Sequence, residues 1–251
     1  MNRIESHKNQ RVKQWKKLHT KKGREQQGSV LIEGTHLIEA ALQAEADIEE
    51  LIVDEQFSIP TGWVVDNVSV TIVTERVMKE ISETETPQGI AAICKIEQTG
   101  LDILAEGRYL FVDAIQDPGN LGTMIRTADS AGMSGVIVGS GSVDVYNSKV
   151  IRATQGSIFH LPVIKKDLSE AIEVCKQQGL PVFGTALEGG SSFTAIEPQQ
   201  QFALIVGNEG EGVSKSLLEQ TDQNLYIPIY GKNESLNVAV ATGILLYYLR
   251  G

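Results

Sequence analysis

The feature that most constrains this fold is a regular alternation of short apolar runs with helix-like segments over residues 108–251. The apolar runs are YLFVD (109–113), GVIVG (135–139), LPVFGTA (180–186), ALIVG (203–207) and LYIPI (225–229). A strand that is apolar on both faces must be covered on both faces, and the helices that connect parallel strands provide this cover. The alternation therefore predicts an α/β domain built on a parallel sheet.

Helical segments are predicted between these strands, over Leu121–Ala131, over 167–179 and in a final helix from Ser235 onward. The first part of the chain also alternates helical and strand-like segments, but less regularly. A helical pattern over 8–22 places Val12, Trp15 and Leu18 on one face, and strands are predicted at 50–54, 70–74 and 89–97. We predict a small N-terminal α/β domain over 1–97, a linker over 98–107 and a second domain over 108–251.

The distribution of charge is uneven. The whole chain carries a net charge of −10, but the first 25 residues hold nine lysines and arginines against two glutamates, which is +7, and leave −17 for the remainder. A basic segment on an acidic body is typical of a surface that binds phosphates. A basic helix that is simply solvated explains the same composition, and the charge alone does not separate the two.

Other residue types exclude several classes of protein. Cys94 and Cys175 stand far apart and the four histidines are scattered, so we expect reduced thiols and no metal site. The N-terminus is polar, and the apolar stretch VAVATGILLYYL is too short to cross a bilayer. We therefore expect a cytoplasmic protein that is not in a membrane.

Three segments with polar side chains and glycines follow predicted strands. They are DPGNLGTMIR (117–126), GNEGEGVS (207–214) and IPIYGKNESLNVAVA (227–241). Ligands of parallel α/β sheets bind beyond the carboxyl ends of the strands, so these segments should meet at one site. The phosphate-loop pattern GxxxxGK[ST] is absent, and the glycine spacing does not fit the GxGxxG pattern of dinucleotide-binding domains. Glycines that serve only tight turns, and a surface Arg126 paired with Asp129, remain open as alternatives.

The three segments resemble the SpoU (TrmH-like) branch of the SPOUT superfamily, whose members are RNA ribose 2′-O-methyltransferases that use S-adenosyl-L-methionine (AdoMet). The matching patterns are D-P-x-N-x-G-x-x-x-R, G-N-E-G-x-G-x-S and I-P-x-x-G-x-x-x-S-L-N-V-x-V-A, in the family's order. LIEGTHLIEAAL and TPQGIAAI are similar to the N-terminal substrate-binding domain of the family. The resemblance thus extends over nearly the whole chain.

This resemblance implies a C-terminal SPOUT domain with a trefoil knot and an L30e-like N-terminal domain. It implies AdoMet as cofactor, no metal, and a homodimer formed through the C-terminal domain. The catalytic positions that match are Arg126, Asn120, Glu209, Ser235 and Asn237. The positions implied to bind the cofactor are Gly207, Ile227, Leu236 and Leu187.

The resemblance also makes RNA the expected partner, with ribosomal RNA favoured over transfer RNA. The basic N-terminal segment then supplies Lys13, Lys17, Lys21, Lys22 and Arg24 as candidate phosphate contacts, together with Arg152 in the second domain. The alternatives are a tRNA ribose methyltransferase, a base methyltransferase of the same superfamily, a non-catalytic RNA-binding module, and an oxidoreductase on a dinucleotide-binding sheet. The sequence does not identify the target nucleotide or the group that accepts the proton.

Overall fold

The computed structural model describes residues 2–97 and 100–251. These residues form two compact units. The first consists of the described residues up to Glu97 together with Tyr146–Phe159, and the second of Gly100 to Val145 together with His160–Gly251. Among the described residues no helix has the length and apolar character needed to cross a membrane.

The first unit is a five-stranded mixed sheet with helices packed on it. Its strands are β1 (Asn2–Ile4), β2 (Ser29–Glu33), β3 (Ile48–Asp54), β4 (Ser69–Val73) and β5 (Ile90–Lys95), in the order β1-β4-β3-β5-β2. Its helices are α1 (Gln10–Lys17), α2 (Lys21–Gln27), α3 (Thr35–Gln43), α4 (Glu75–Ile81) and α6 (Ser148–Thr154). β1, β4 and β3 run parallel, and β5 runs antiparallel to its neighbours β3 and β2. The small N-terminal α/β domain is therefore confirmed, and α6 adds a later segment of the chain to it.

The basic segment forms two helices rather than the single helix that the pattern over 8–22 indicates. The first helix ends before Thr20, and Thr20 begins a new one. Its hydroxyl accepts a hydrogen bond from Gly23 N at 3.1 Å and so caps α2. A Cβ at Gly23 would lie 2.0 Å from Lys17 O, so the second helix can start this close to the first only with glycine there. The predicted inward face is correct, since Val12 and Trp15 are buried in the core of the unit.

A buried carboxylate fixes α1 on the sheet. Glu50 in β3 accepts hydrogen bonds from Arg11, from Thr71 Oγ1 at 2.6 Å and from Trp15 Nε1 at 3.2 Å. The Arg11 guanidinium lies 5.5 Å from the centre of the Trp15 ring, which is within cation–π range. Because an unpaired buried carboxylate is costly, these donors must stay in place, and they hold α1 across β3 and β4.

The second unit is a seven-stranded sheet in which every pairing is parallel. Its strands are β6 (Arg108–Val112), β7 (Gly135–Val138), β8 (Val163–Lys165), β9 (Val182–Thr185), β10 (Ser191–Ser192), β11 (Phe202–Val206) and β12 (Gln223–Tyr226). Its helices are α5 (Pro118–Ser130), α7 (Leu168–Gln177), α8 (Lys215–Leu218) and α9 (Val238–Arg250). The strand order is β10-β12-β9-β11-β6-β7-β8. The parallel-sheet prediction is confirmed, and the trefoil knot stays a prediction.

The boundaries that differ most clearly from the sequence prediction near the polar segments are three. α5 begins at Pro118 rather than Leu121, because Asp117 caps it by accepting a hydrogen bond from Asn120 N at 2.7 Å. α9 begins at Val238 rather than Ser235, because Asn237 is its cap. β12 ends at Tyr226, two residues before Pro228, which has no N–H to donate to a neighbouring strand.

Candidate active site

Four neighbouring strands of the parallel sheet place their following segments at one edge. In the order β12-β9-β11-β6, each strand pairs with the next. Their carboxyl ends lead into the segments 227–237, 186–190, 207–214 and 113–117 respectively. Because parallel strands all end at the same edge, these four segments are brought together, as the sequence predicted for three of them.

The segment 207–214 is held by its own hydrogen bonds and by the segment after β6. Asn208 and Gly212 exchange backbone hydrogen bonds of 3.0 and 2.9 Å. The Asn208 side chain donates to Ala114 O at 2.9 Å and accepts from Gly210 N at 2.8 Å. Ser214 N donates to the Asp113 carboxylate at 2.8 Å. Asn208 therefore shapes the turn that presents Glu209. Sequence reasoning assigned no site role to Asp113, which is the last residue of the predicted strand YLFVD.

Gly207 is required for this turn to close. A Cβ at this position would lie 2.1 Å from both Gly212 C and Val213 N, and such contacts are not possible without moving the backbone. The backbone at Gly207 thus passes too close to Gly212 and Val213 for a side chain to fit between them. This explains physically why the position takes glycine, independently of any ligand.

Three of the five predicted catalytic side chains form one hydrogen-bonded chain. Asn120 Nδ2 donates to Glu209 Oε1 at 2.9 Å, and Asn237 Nδ2 donates to Asn120 Oδ1 at 3.0 Å. Asn237 Oδ1 in turn accepts from the first backbone N–H groups of α9, Ala239 N at 3.0 Å and Val240 N at 3.3 Å.

The direction of this chain is determined from both ends. An ionised Glu209 can only accept, so Asn120 must present its NH₂ group to it and its oxygen to Asn237. The N–H groups of α9 can only donate, so Asn237 must present its oxygen to the helix and its NH₂ group to Asn120. Both requirements agree, and the two amides are therefore oriented without ambiguity.

Arg126 and Ser235, the other two predicted catalytic residues, are exposed and lie outside this chain. In the part of the chain that the structure describes, neither side chain has a hydrogen bond or an ion pair. The alternative of an Arg126–Asp129 pair is not what the structure has, because Asp129 Oδ2 lies 2.9 Å from His160 Nδ1 instead. Arg126 is in the second half of α5, and helical side chains lean toward the N-terminus of their helix, which here is the end that carries Asn120.

A cavity of about 440 Å³ opens beside the polar chain. It is lined by the segments after β9, β11 and β12 and by the first turns of α9. All four residues predicted to bind the cofactor line this cavity, namely Gly207, Ile227, Leu236 and Leu187. Glu209 and Ser235 line it as well. Leu187 is 69% exposed and Leu236 is 40% exposed, which is high for leucine and means that both present apolar surface to the solvent.

The wall of the cavity combines apolar side chains with carboxylates. Ile229, Val238 and Leu245 contribute apolar surface, and the acidic residues that line it are Glu188, Glu209, Glu211 and Glu234. None of these four carboxylates has an ion pair with a described residue. The cavity therefore favours a ligand that has an apolar part and a positive charge.

The predicted RNA contacts divide into exposed and buried groups. Four of the lysines are exposed, namely Lys13, Lys17, Lys21 and Lys22. Arg24 is not available in this way, since it is buried and its guanidinium donates to Leu18 O at 2.7 Å. Arg152 lies half-buried on α6, which belongs to the first unit and not to the second domain in which the sequence prediction placed it.

Comparisons with known proteins give the same family for both units. Residues 107–247 match the model of the SpoU rRNA Methylase family, and residues 9–92 match the MRM3-like substrate binding domain. The chain is 49% identical, over all 251 residues and over the whole of the relative, to the 23S rRNA (guanosine(2553)-2′-O)-methyltransferase RlmP of Bacillus subtilis (strain 168).

Two solved structures are similar over almost the full chain. The AdoMet-bound rRNA methyltransferase from Sinorhizobium meliloti is 32% identical, with a TM-score of 0.89 over 99% of this chain and 97% of that one. The SpoU methyltransferase AviRb from Streptomyces viridochromogenes, in complex with AdoMet, is 27% identical, with a TM-score of 0.85 over 96% and 97% of the two chains. Motifs, parallel sheet, polar chain and full-length identity thus agree, and this chain belongs to the SpoU rRNA methylase family.

Proposed function

We propose that this chain is an AdoMet-dependent methyltransferase that modifies the ribose 2′-oxygen of a guanosine in 23S ribosomal RNA. The observation that carries the proposal is the hydrogen-bonded chain Glu209–Asn120–Asn237 beside a cavity that Glu209 itself lines. The 49% identity to the B. subtilis enzyme over the full chain supports ribosomal RNA, and the guanosine corresponding to position 2553, as the target.

The cavity fits AdoMet in size and in chemistry. A volume of about 440 Å³ lies within the roughly 300–1,000 Å³ that ligand sites of this kind have. Leu187, Ile227 and Leu236 offer apolar surface for a flat base or an alkyl chain, and Gly207 lines the same cavity. The carboxylates of the wall complement a ligand that carries a positive charge. When bound there, AdoMet supplies a methyl group on a sulfonium, which is already a strong electrophile.

The residues of this chain then have the task of aligning the ribose and stabilising the oxygen as it loses its proton. Orientation of two reactants contributes about 7–11 kcal/mol in the best intramolecular cases. The amides of Asn120 and Asn237 are oriented for this purpose by their hydrogen bonds to Glu209 and to the first turn of α9. Ser235 has a free hydroxyl at the cavity wall and completes the polar surface that faces the ribose.

Arg126 has a separate role in this proposal. A guanidinium stays protonated at neutral pH, so it does not accept the hydroxyl proton. Its planar set of N–H groups matches a phosphate or a developing alkoxide, and charge-assisted hydrogen bonds of this kind are the strong ones. We propose that Arg126 holds the phosphate next to the target ribose and lowers the cost of the negative charge on the 2′-oxygen.

Methyl transfer from radiolabelled AdoMet to unmodified 23S rRNA and to tRNA transcripts tests the function. Label in 23S rRNA, at a guanosine whose ribose linkage resists alkaline cleavage, is the expected result. Arg126→Ala should abolish it, and Arg126→Lys should fail almost as badly because a lysine has no planar fork. Arg250→Lys, which changes an exposed arginine at the end of α9, is the matched control. Label in tRNA alone, or none in either RNA despite AdoMet binding, would contradict the proposal.

We further propose that the basic segment binds RNA through the lysines that the protein itself leaves unpaired. Lys16 and Lys21 form ion pairs with Glu80 and Glu25, whereas Lys13, Lys17 and Lys22 have none with a described residue. Deletion of the segment is not a clean test, because Trp15 belongs to the core.

The test is a triple substitution of Lys13, Lys17 and Lys22 by glutamine. Each lysine that no longer neutralises a phosphate should reduce the slope of log K against log salt by about 0.7–0.9. The control removes the same charge from the ion-paired Lys79, Lys95 and Lys215. Equal salt slopes for the two triple variants would show that the basic segment does not bind phosphates.

A homodimer through the C-terminal domain remains a proposal, supported by one apolar stripe. Val240, Ile244 and Tyr247 are 53%, 38% and 51% exposed and follow one another along one side of α9. Sedimentation should give twice the mass of 27.3 kDa for the wild type, and Ile244→Glu should shift it to the monomer. A wild-type monomer would contradict the proposal.

A further inference from the structure

Arg126 and Asp129 are neighbours on α5, yet they are not partners. Residues three apart lie on the same side of a helix with their Cβ atoms about 5–6 Å apart, and an arginine and an aspartate at this spacing attract each other. In the structure, however, Asp129 Oδ2 lies 2.9 Å from His160 Nδ1. The Arg126 side chain has no hydrogen bond or ion pair within the described residues.

His160 reaches Asp129 from a segment just before β8, so the contact is tertiary rather than local. The aspartate is the less exposed partner, at 27% against 43% for the histidine. It also lies in the last turn of α5, where the helix dipole disfavours a negative charge. His160 can donate to this carboxylate, and the one cationic side chain on the carboxylate's own helix is Arg126.

We propose that His160 is a positioning residue, which occupies Asp129 and thereby keeps the Arg126 guanidinium free for RNA. The inference rests on the proposed function, in which Arg126 binds the phosphate beside the target ribose. A guanidinium paired with a carboxylate has its charge compensated and part of its fork filled, so it must leave that partner before it can bind a phosphate. Because His160 binds Asp129, the carboxylate does not compete with the RNA phosphate for the Arg126 guanidinium.

The size of the effect follows from the weakness of exposed ion pairs. A helical pair at this spacing is worth only a fraction of a kcal/mol in water, and somewhat more where the carboxylate is partly buried, as here. Removal of His160 should therefore shift Arg126 toward Asp129 without trapping it completely. We expect a two- to fivefold lower rate of methyl transfer.

The kinetic test compares four proteins on an unmodified 23S rRNA transcript under single-turnover conditions. His160→Ala should be two- to fivefold slower than the wild type, and Asp129→Asn should stay within about 1.5-fold of it. The double variant should recover the wild-type rate, because the freed side chain at position 129 then has no charge. A double variant as slow as His160→Ala, or a His160→Ala protein at full rate, would overturn the inference.

A second readout does not depend on activity. In protein labelled with ¹⁵N-arginine and free of RNA, the Nε–H signal of Arg126 is assigned by its disappearance in Arg126→Lys. We expect its proton to exchange more slowly with water in His160→Ala and to return to the wild-type rate in the double variant. An unchanged signal in His160→Ala refutes the inference. The expected change in a protein that transfers no methyl group would support the inference and refute the proposed function instead.

Discussion

Asn237 performs two tasks with two different atoms, so two substitutions can separate them. Its Oδ1 caps α9 by accepting from Ala239 N and Val240 N, and its Nδ2 donates to Asn120. Asn237→Ala removes both functions. Asn237→Asp keeps an oxygen for the cap and removes only the donor to Asn120.

The expected stabilities differ by about the value of a helix cap. Loss of the cap in Asn237→Ala costs about 1 kcal/mol, with a range of about 0.5–2. For a domain of about 150–250 residues this lowers Tm by roughly 2–4 °C per kcal/mol. Asn237→Asp keeps the cap and places a negative charge at a helix N-terminus, which is favourable by about 0.3–1 kcal/mol. Its Tm should therefore equal or slightly exceed that of the wild type.

The expected activities do not follow the stabilities. In Asn237→Asp a carboxylate oxygen faces Asn120 Oδ1, now about 3.0 Å away without a proton between them. Asn120 cannot rotate its amide to compensate, because its oxygen would then face the Glu209 carboxylate. The hydrogen-bonded chain Glu209–Asn120–Asn237 must then break. If the poorer orientation raises the activation free energy by about 1.4 kcal/mol, the reaction becomes about tenfold slower. We expect both variants to be at least that slow.

Calorimetry of the two variants and single-turnover methyl transfer test this separation. The combination that supports the reasoning is a normal Tm and low activity for Asn237→Asp, with a lower Tm and low activity for Asn237→Ala. If Asn237→Asp were as active as the wild type, the hydrogen bond to Asn120 would have no role in catalysis. If it were as unstable as Asn237→Ala, the side chain would not act as a cap.

Three other predictions follow from the structure. Gly207→Ala should abolish AdoMet binding in calorimetry with little change in circular dichroism, because its Cβ would lie 2.1 Å from the facing backbone. Gly62→Ala in the first unit, where nothing lies within 4 Å, is the control and should bind normally. Trp15→Phe should lower the urea-unfolding free energy by about 1–3 kcal/mol, since a buried carboxylate loses its indole donor. Burial raises the pKa of Cys94 and of Cys175 from 9.0 to about 12, so the unfolded thiols ionise first as the pH rises above 9. Wild-type stability should then fall, relative to the variant with alanine at both positions, by up to about 1.4 kcal/mol per pH unit and thiol between pH 9 and 11. Equal pH dependence of the two proteins would contradict this.

Much of the second unit was predictable because its signals are local. Apolar runs such as YLFVD indicate strands that are buried on both faces, and the structure has them in one parallel sheet. The polar segments could be assigned to one edge, since the direction of parallel strands alone brings their ends together. The boundaries within these segments were wrong by a few residues, because the capping groups Asp117 and Asn237 have polar side chains that are equally common in loops.

The basic segment shows which charges a count from the sequence cannot assign to a binding surface. The first 25 residues carry a net charge of +7, but not all of this charge is available to a ligand. Arg24 is buried, and Lys16 and Lys21 form ion pairs with glutamates. Only Lys8, Lys13, Lys17 and Lys22 are left without an ion pair among the described residues. A charge count cannot separate these groups, because a partner such as Glu80, which pairs with Lys16, is distant in sequence.

The sequence by itself determined the type of fold, and it predicted the edge of the sheet where the candidate site lies and the residues that belong to this site. These depend on periodicity and on motif order, which are properties of short segments. Only the tertiary structure decided how those residues are connected. Glu209, Asn120 and Asn237 come from three separate segments, and their hydrogen bonds exist because β11, β6 and β12 lie close together in the sheet. His160 likewise reaches Asp129 across 31 positions of the chain, and this contact, which no local pattern encodes, leaves Arg126 unpaired.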